Sequence, residues 1–242
     1  MNPKLGLTRN VIKRNYAVIT GDGRVPSVLP GWSDCVPVVL ISPALGAGLS
    51  QYLIALNARG AGGGETGTDE YFFYLVAGKA RINGIALTAG GFAYVPPLAK
   101  YEVRAAARSE LLVFKKTFEA LAGQDPLTFF SGQEKDLPET PFLGDERARL
   151  KTLIPDSLAA DMAVNIFTFD PGATLPFVET HVMEHGMLFL AGGGVYRLDA
   201  DWYPVAAGDA LWIAPYCPQW FIAAGPGPTR YIYYKNVNRL PA

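Results

Sequence analysis

Apolar residues in this chain come in short runs broken by Gly and Pro, with no helical striping. Met187-Leu188-Phe189-Leu190 is apolar throughout and stops at Ala191-Gly192-Gly193-Gly194. Val195-Tyr196-Arg197-Leu198 alternates, as a half-buried strand does. Trp202-Tyr203-Pro204-Val205 pairs back after a turn, and Ala210-Leu211-Trp212-Ile213 and Tyr231-Ile232-Tyr233-Tyr234 follow. Short strands at this spacing predict an all-β fold, a sandwich or jelly-roll barrel. The 26 Gly and 19 Pro supply the many turns such a fold needs.

The pattern occurs twice. Gly90-Gly91-Phe92-Ala93-Tyr94-Val95-Pro96-Pro97 matches Gly208-Asp209-Ala210-Leu211-Trp212-Ile213-Ala214-Pro215, an offset of 118 from Gly90 to Gly208. Leu75-Val76-Ala77-Gly78 matches Phe189-Leu190-Ala191-Gly192, an offset of 114 from Gly78 to Gly192. Val113-Phe114-Lys115 matches Tyr233-Tyr234-Lys235. Three anchors in one order predict two tandem β domains, residues 35–122 and 155–242. Residues 1–34 are read as an arm packed on one barrel. Residues 123–154, polar and proline-bearing, are read as a linker with a short helical turn near Gly144–Leu150.

Bulk properties narrow the function. Half of the 242 residues are hydrophobic, 18% are charged and the net charge is −1. That balance supplies a substantial core and gives no electrostatic case for nucleic acid. No apolar run reaches a membrane span. Met1–Leu7 lacks a signal peptide's hydrophobic stretch, and Cys35 and Cys217 are too few for a disulfide framework. A cytoplasmic protein acting on a small molecule is expected, with open β edges covered by homo-oligomer formation.

The only two histidines lie four apart, in Glu179-Thr180-His181-Val182-Met183-Glu184-His185. Imidazole is the commonest metal ligand side chain. A helix fits poorly: Gly186 follows at once, and Glu179 would point about 200° from His181. On a strand, Glu179 and His181 share a face. A turn at Met183-Glu184 would return His185 to that face, giving three inward ligands on a β-hairpin. Glu184 then points away, as a surface residue or one bracing its neighbours, and Arg197 faces opposite Tyr196. Taken alone, Tyr196 and Tyr231 read as barrel wall, Lys235 as a solvated strand end, Trp202 and Trp220 as packing, and Cys217 as a small buried residue.

These residues resemble the cupin superfamily. Gly172 precedes the cluster, Glu179-x-His181 stands in the usual His-x-His place, His185 stands where a glutamate is usual, and Gly192 closes the first motif. Gly208 opens the second motif, Ala214-Pro215-Tyr216 makes its turn, and Gln219 takes the histidine place. The fold implied is two tandem cupin barrels, a bicupin, with ligands Glu179, His181, His185 and Gln219 in the second. By the repeat offsets, Glu65, Gly67, Tyr71 and Tyr101 occupy those places in the first copy. Only one metal site is therefore expected. A nitrogen and oxygen donor set without thiolate suits Mn, Fe(II), Co, Ni or Zn.

Nearly the whole chain resembles one bicupin family, the (S)-ureidoglycine aminohydrolases of purine (allantoin) catabolism. The likeness runs from Gly6-Leu7-Thr8-Arg9 and Leu29-Pro30-Gly31-Trp32 through Glu179-x-His181-x3-His185 and Tyr196-Arg197-Leu198. It continues through Trp202-Tyr203-Pro204-Val205 and Pro218-Gln219-Trp220 to Tyr231-x3-Lys235-x-Val237-Asn238-Arg239. The resemblance implies a manganese enzyme, a hydrolase of the linear amidine class. It would convert (S)-ureidoglycine to (S)-ureidoglycolate and ammonia. Tyr196, Tyr231 and Lys235 would contact substrate, with Glu179, Tyr231 and Lys235 in catalytic roles. Two histidines and a carboxylate also make the iron(II) facial triad, so a bicupin dioxygenase is one alternative. A non-enzymatic small-molecule binder is another.

Overall fold

The computed structural model describes residues 8–236. Gly6-Leu7 of the arm motif and Val237-Asn238-Arg239 of the last motif lie outside the described residues. The chain runs through β1 (Val11–Ile12) and β2 (Tyr16–Ile19), then β3 (Trp32–Ile41), β4 (Leu49–Glu65), β5 (Asp69–Ala77), β6 (Lys79–Ile82) and β7 (Ile85–Thr88). It continues with β8 (Gly91–Val95), β9 (Lys100–Ala105), β10 (Ser109–Thr117), β11 (Phe130–Gln133), β12 (Thr140–Phe142) and β13 (Asp145–Thr152). The last seven are β14 (Ala163–Phe169), β15 (His185–Ala191), β16 (Gly193–Leu198), β17 (Asp201–Ala206), β18 (Ala210–Ile213), β19 (Gln219–Ala223) and β20 (Thr229–Lys235).

Two compact units result. The N-terminal unit takes Val25–Leu137 with Asp156–Asp161. Its sheet runs β11-β8-β5-β10-β4-β9-β6-β7, with β3 also on β4. Asp161 is buried in an ion pair with Lys116 and accepts the Glu119 backbone N–H at 2.7 Å, which ties the 156–161 segment to this unit. The C-terminal unit takes residues 8–24, Pro138–Pro155 and residues 162–236. One of its sheets runs β1-β2-β18-β15-β20-β14-β13-β12, and a second runs β17-β16-β19.

Both units share one strand order. The run β8-β5-β10-β4 repeats as β18-β15-β20-β14, and β7-β6-β9 repeats as β17-β16-β19. Register repeats as well: Tyr71 stands opposite Val95 and Lys115, as His185 stands opposite Ile213 and Lys235. The glycine anchors have a physical cause. Gly78 (φ 87°) and Gly192 (φ 68°) are left-handed, and a Cβ there would come within 2.4 Å of Ser109 Oγ or 2.6 Å of Thr229 Oγ1.

Residues 123–154 are not a plain linker, and no helical turn forms at Gly144–Leu150. β11 joins the N-terminal sheet beside β8, and β12 and β13 join the C-terminal sheet. Charge makes Asp145–Thr152 look like a connector, but its side chains alternate. Ala148 is buried opposite Phe169, while Arg149 turns outward to pair with Asp170 at 2.7 Å and Glu139 at 3.4 Å. Within the arm, β2 is buried against β18. Arg9 forks onto the buried carboxylate of Asp209 at 3.0 and 3.2 Å, which holds residues 8–24 of the expected arm on this sheet, whereas residues 25–34 belong to the N-terminal unit, so the arm does not pack as one piece on one barrel.

The C-terminal core is aromatic. Phe169 and Phe221 meet edge to face at 5.2 Å, Phe221 and Tyr231 at 5.7 Å, and Phe189 lies 5.2 Å from Tyr231. All four are essentially inaccessible to solvent. Phe221→Ala is expected to cost about 3–5 kcal/mol in a urea melt followed by aromatic circular dichroism. A loss under about 1 kcal/mol would mean that this cluster does not support the barrel.

Candidate metal centre

Glu179 does not lie on a regular strand. A reciprocal backbone bridge holds it to β19, with Glu179 N–H donating to Gln219 O at 2.8 Å and Gln219 N–H to Glu179 O at 2.9 Å. Two residues on, the His181 carbonyl accepts the Tyr216 N–H at 2.7 Å. His185 then opens β15 on the other sheet. The expected β-hairpin is therefore replaced by a segment that crosses between the two sheets, because Glu179 takes its backbone partner from β19. The outcome still brings the four side chains together. His181 Nε2 lies 3.3 Å from His185 Nε2, 3.1 Å from Gln219 Nε2 and 3.9 Å from Glu179 Oε2.

These side chains line a cavity of about 180 Å³ with Tyr196, Tyr231, Tyr233 and Lys235. That is well below the ~300–1,000 Å³ of pockets for drug-sized ligands, so a small polar ligand fits. Burial governs its electrostatics. It pushes the Glu179 carboxyl up to about 7. Burial, then the neighbouring His181, pushes His185 down to about 3. His181 is also lowered, by burial first. Both imidazoles are therefore neutral at pH 7, the form that ligates metal. Tyr196 and Tyr231 are raised by burial and stay as neutral hydroxyls.

The proton inventory leaves room for a cation. His185 Nδ1 lies 3.1 Å from the Tyr234 carbonyl, which can only accept, so Nδ1 carries the proton and Nε2 bears a lone pair. A proton on His181 Nε2 would satisfy His185 but oppose the Gln219 amide N–H. Without that proton, two lone pairs face each other at 3.3 Å. A cation held between the two lone pairs would resolve that conflict, and so would an amide turned so that its oxygen accepts a proton from His181 Nε2. Gln219 Oε1 now accepts the Tyr196 hydroxyl at 2.7 Å. A half-turn of the amide, whose O and N are interchangeable by shape, would aim that oxygen at the site. Among the described residues, no three His, Cys, Asp or Glu side chains already stand in ligating positions. The donors face one another, but Glu179 remains 3.9 Å away and the remaining donor is an amide.

Residues 165–234 match the family described as Cupin domain. The (S)-ureidoglycine aminohydrolase of Arabidopsis thaliana is 36% identical over 242 residues, covering 98% of this chain and 80% of that protein. The enzyme of the same name from Escherichia coli (strain K12) is 35% identical, covering 96% and 92%. The crystal structure of protein Ylba from E. coli has a TM-score of 0.85 at 33% identity, covering 100% of this chain and 99% of that one. The chain belongs to the (S)-ureidoglycine aminohydrolase family. Its fold is the cupin β-barrel.

In this member of the ureidoglycine aminohydrolase family, Tyr196, Tyr231 and Lys235 line the same cavity as the four metal-ligand candidates. Arg197 turns outward, 5.8 Å over the Trp202 ring. Cys217 is buried. Glu184 is not at the surface: it is buried and accepts the Trp212 indole N–H at 2.7 Å, bracing the turn before His185. Trp202 is 54% exposed and caps Trp220 edge to face, so it is no core residue. Sequence reading passed over Tyr233, which also lines the cavity. Its ring meets His185 at 5.4 Å, and its hydroxyl accepts an Asn165 amide N–H at 3.2 Å. Its place between Tyr231 and Lys235 on an alternating strand was the available signal. Phe142 and Phe167 at the cavity wall gave none.

A carboxyl ligates a cation only in its ionised form, so a cation taken up at Glu179 would have to expel a proton below about pH 7. Affinity for Mn(II), followed by calorimetry, is expected to fall as pH drops through about 7, by up to roughly tenfold per unit. The histidines are already neutral there and add no slope. Glu179→Gln should bind more weakly with a flat profile. An equally flat wild-type profile would contradict this assignment.

Proposed function

We propose that the chain hydrolyses (S)-ureidoglycine to (S)-ureidoglycolate and ammonia, with a divalent cation, manganese, held by Glu179, His181, His185 and Gln219. The observation that carries this reading is the convergence of two neutral imidazoles, a carboxyl and an amide on a small cavity that also holds Lys235 and three buried phenols. Manganese suits a mixed nitrogen and oxygen donor set without thiolate. No helix among the described residues is long and apolar enough to cross a membrane. We place the enzyme in the cytoplasm.

The substrate carries a carboxylate, an amine and a ureido group on one carbon. When bound, the cation supplies Lewis acidity and a fixed point for the polar groups on that carbon. Lys235, at the cavity end of β20, receives the carboxylate. Tyr196 and Tyr231 offer hydroxyls to the ureido group, and burial keeps both protonated. Holding three substituents fixes the hand of the carbon, so one configuration is accepted. Glu179, the cavity's carboxyl, carries a proton from the incoming water to the departing amine. The C–N bond breaks, a C–O bond forms, and ammonia leaves.

The test is ammonia release from enzymatically generated ureidoglycine, beside metal analysis and an oxygen electrode. The wild type should release ammonia without consuming oxygen, and His181→Ala should lose both metal and turnover. Lys235→Ala should lower kcat/KM by about 10²-fold, chiefly through KM, as expected for losing one partner of a desolvated charge pair. Oxygen uptake matching turnover, or full activity in His181→Ala, would overturn the proposal.

A further inference from the structure

The N-terminal unit has a cavity at the place equivalent to the metal centre. Its volume is about 310 Å³, larger than the C-terminal one at about 180 Å³. Strand pairing shows what stands at three of the four ligand positions. Tyr71 stands opposite Lys115 as His185 stands opposite Lys235. Tyr101 stands opposite Gly64 where Gln219 stands opposite Glu179. Glu65, the carboxylate matched by sequence offset, is largely exposed and sits 3.6 Å from Lys100. Two ligand positions have thus become phenols and one has become glycine, while the lysine is retained.

The remaining chemistry is organised. The Tyr71 and Tyr101 rings lie 5.2 Å apart, and Lys115 Nζ sits 5.5 Å over Tyr71. Asp69 holds the Lys115 ammonium at 2.9 Å and uses one of its three donors. The Trp32 indole is hydrogen-bonded to the Tyr101 hydroxyl. Glycines make the space. A Cβ at Gly62 would strike the Trp32 ring, so that indole rests on bare strand backbone, while one at Gly64 would lie in ordinary contact with Tyr101 at 3.6 Å. The result is a polar-tipped aromatic box with one cation at its edge.

We propose that this cavity is a second, metal-independent binding site for a small organic carboxylate bearing a planar amide-like group. Lys115 binds the carboxylate, Tyr71 and Tyr101 present hydroxyls to the planar group, and Trp32 forms the wall. The site does not depend on the reaction proposed above.

N-carbamoylglycine is a suitable probe: it has both groups and no leaving amine. Calorimetry on the full-length Lys235→Met protein, whose C-terminal carboxylate anchor is gone, should show one site per chain. Adding Lys115→Met should weaken that site at least tenfold while circular dichroism stays unchanged. Gly64→Val, which fills the cavity without removing charge, should do the same, and it decides alone if Lys115→Met does not fold. Absence of binding in Lys235→Met, or binding there that survives the deciding variant, would overturn the proposal. Ammonia release by the single Lys115→Met variant should equal wild type, which keeps this result separate from any failure of the C-terminal assignment.

Discussion

The reciprocal backbone bridge between Glu179 and Gln219 is the constraint on which the site depends. The chain between β14 and β15 is irregular, and without lateral hydrogen bonds its side-chain directions would be undefined. Two bonds at 2.8 and 2.9 Å fix the Glu179 peptide against β19, and the Tyr216 N–H fixes the His181 carbonyl two residues later. The ligand candidates thus come from three sources: a crossing segment, the first residue of β15 and the first residue of β19. A ring of donors drawn from two sheets can surround a small volume, which one strand cannot do.

Behind those donors stands a floor of aromatic side chains, and that floor sets the electrostatics. Tyr196, Phe221 and Tyr231 exclude water, so an uncompensated charge inside is costly. The directions agree: burial lifts the Glu179 carboxyl and lowers both imidazoles, each group moving toward its neutral form. A divalent cation inverts that preference for the carboxyl and matches it for the imidazoles. The same desolvation that penalises a lone carboxylate there would be offset by a cation bound beside it. It also keeps the two phenols protonated, as hydrogen-bond donors to a polar substrate.

Much of this was legible in the sequence. The runs at Ala210–Ile213 and Tyr231–Tyr234 are strands because alternation and β-branched or aromatic content agree there. The ligand set was legible because only two histidines exist and their spacing is short. What escaped notice escaped for physical reasons. β13 carries five charged residues, and composition outweighed its alternation until pairing with β14 showed Ala148 facing inward. The hairpin expected for residues 179–190 assumed the nearest partner in sequence, whereas Glu179 pairs 40 positions away with Gln219. Glu184 gave no local sign of burial, since its indole partner Trp212 is 28 residues distant.

The two units share a strand order but fill equivalent places with different side chains. In the C-terminal unit a polar cluster is buried and must be mutually satisfied. In the N-terminal unit, phenol at the His185 place and phenol at the Gln219 place lie 5.2 Å apart with their rings tilted by 33°, and need no cation. Removing the carboxylate at the bridge position leaves Gly64, and with it room rather than an unpaired buried charge. Lysine stands at the equivalent place in both copies, and in the N-terminal one its ammonium is 31% exposed beside Asp69, so it is held there at little cost. A shared strand order thus supports two different chemistries. What distinguishes them is the side chains at equivalent places: His185 and Gln219 beside a carboxyl in one unit, Tyr71 and Tyr101 beside a glycine in the other.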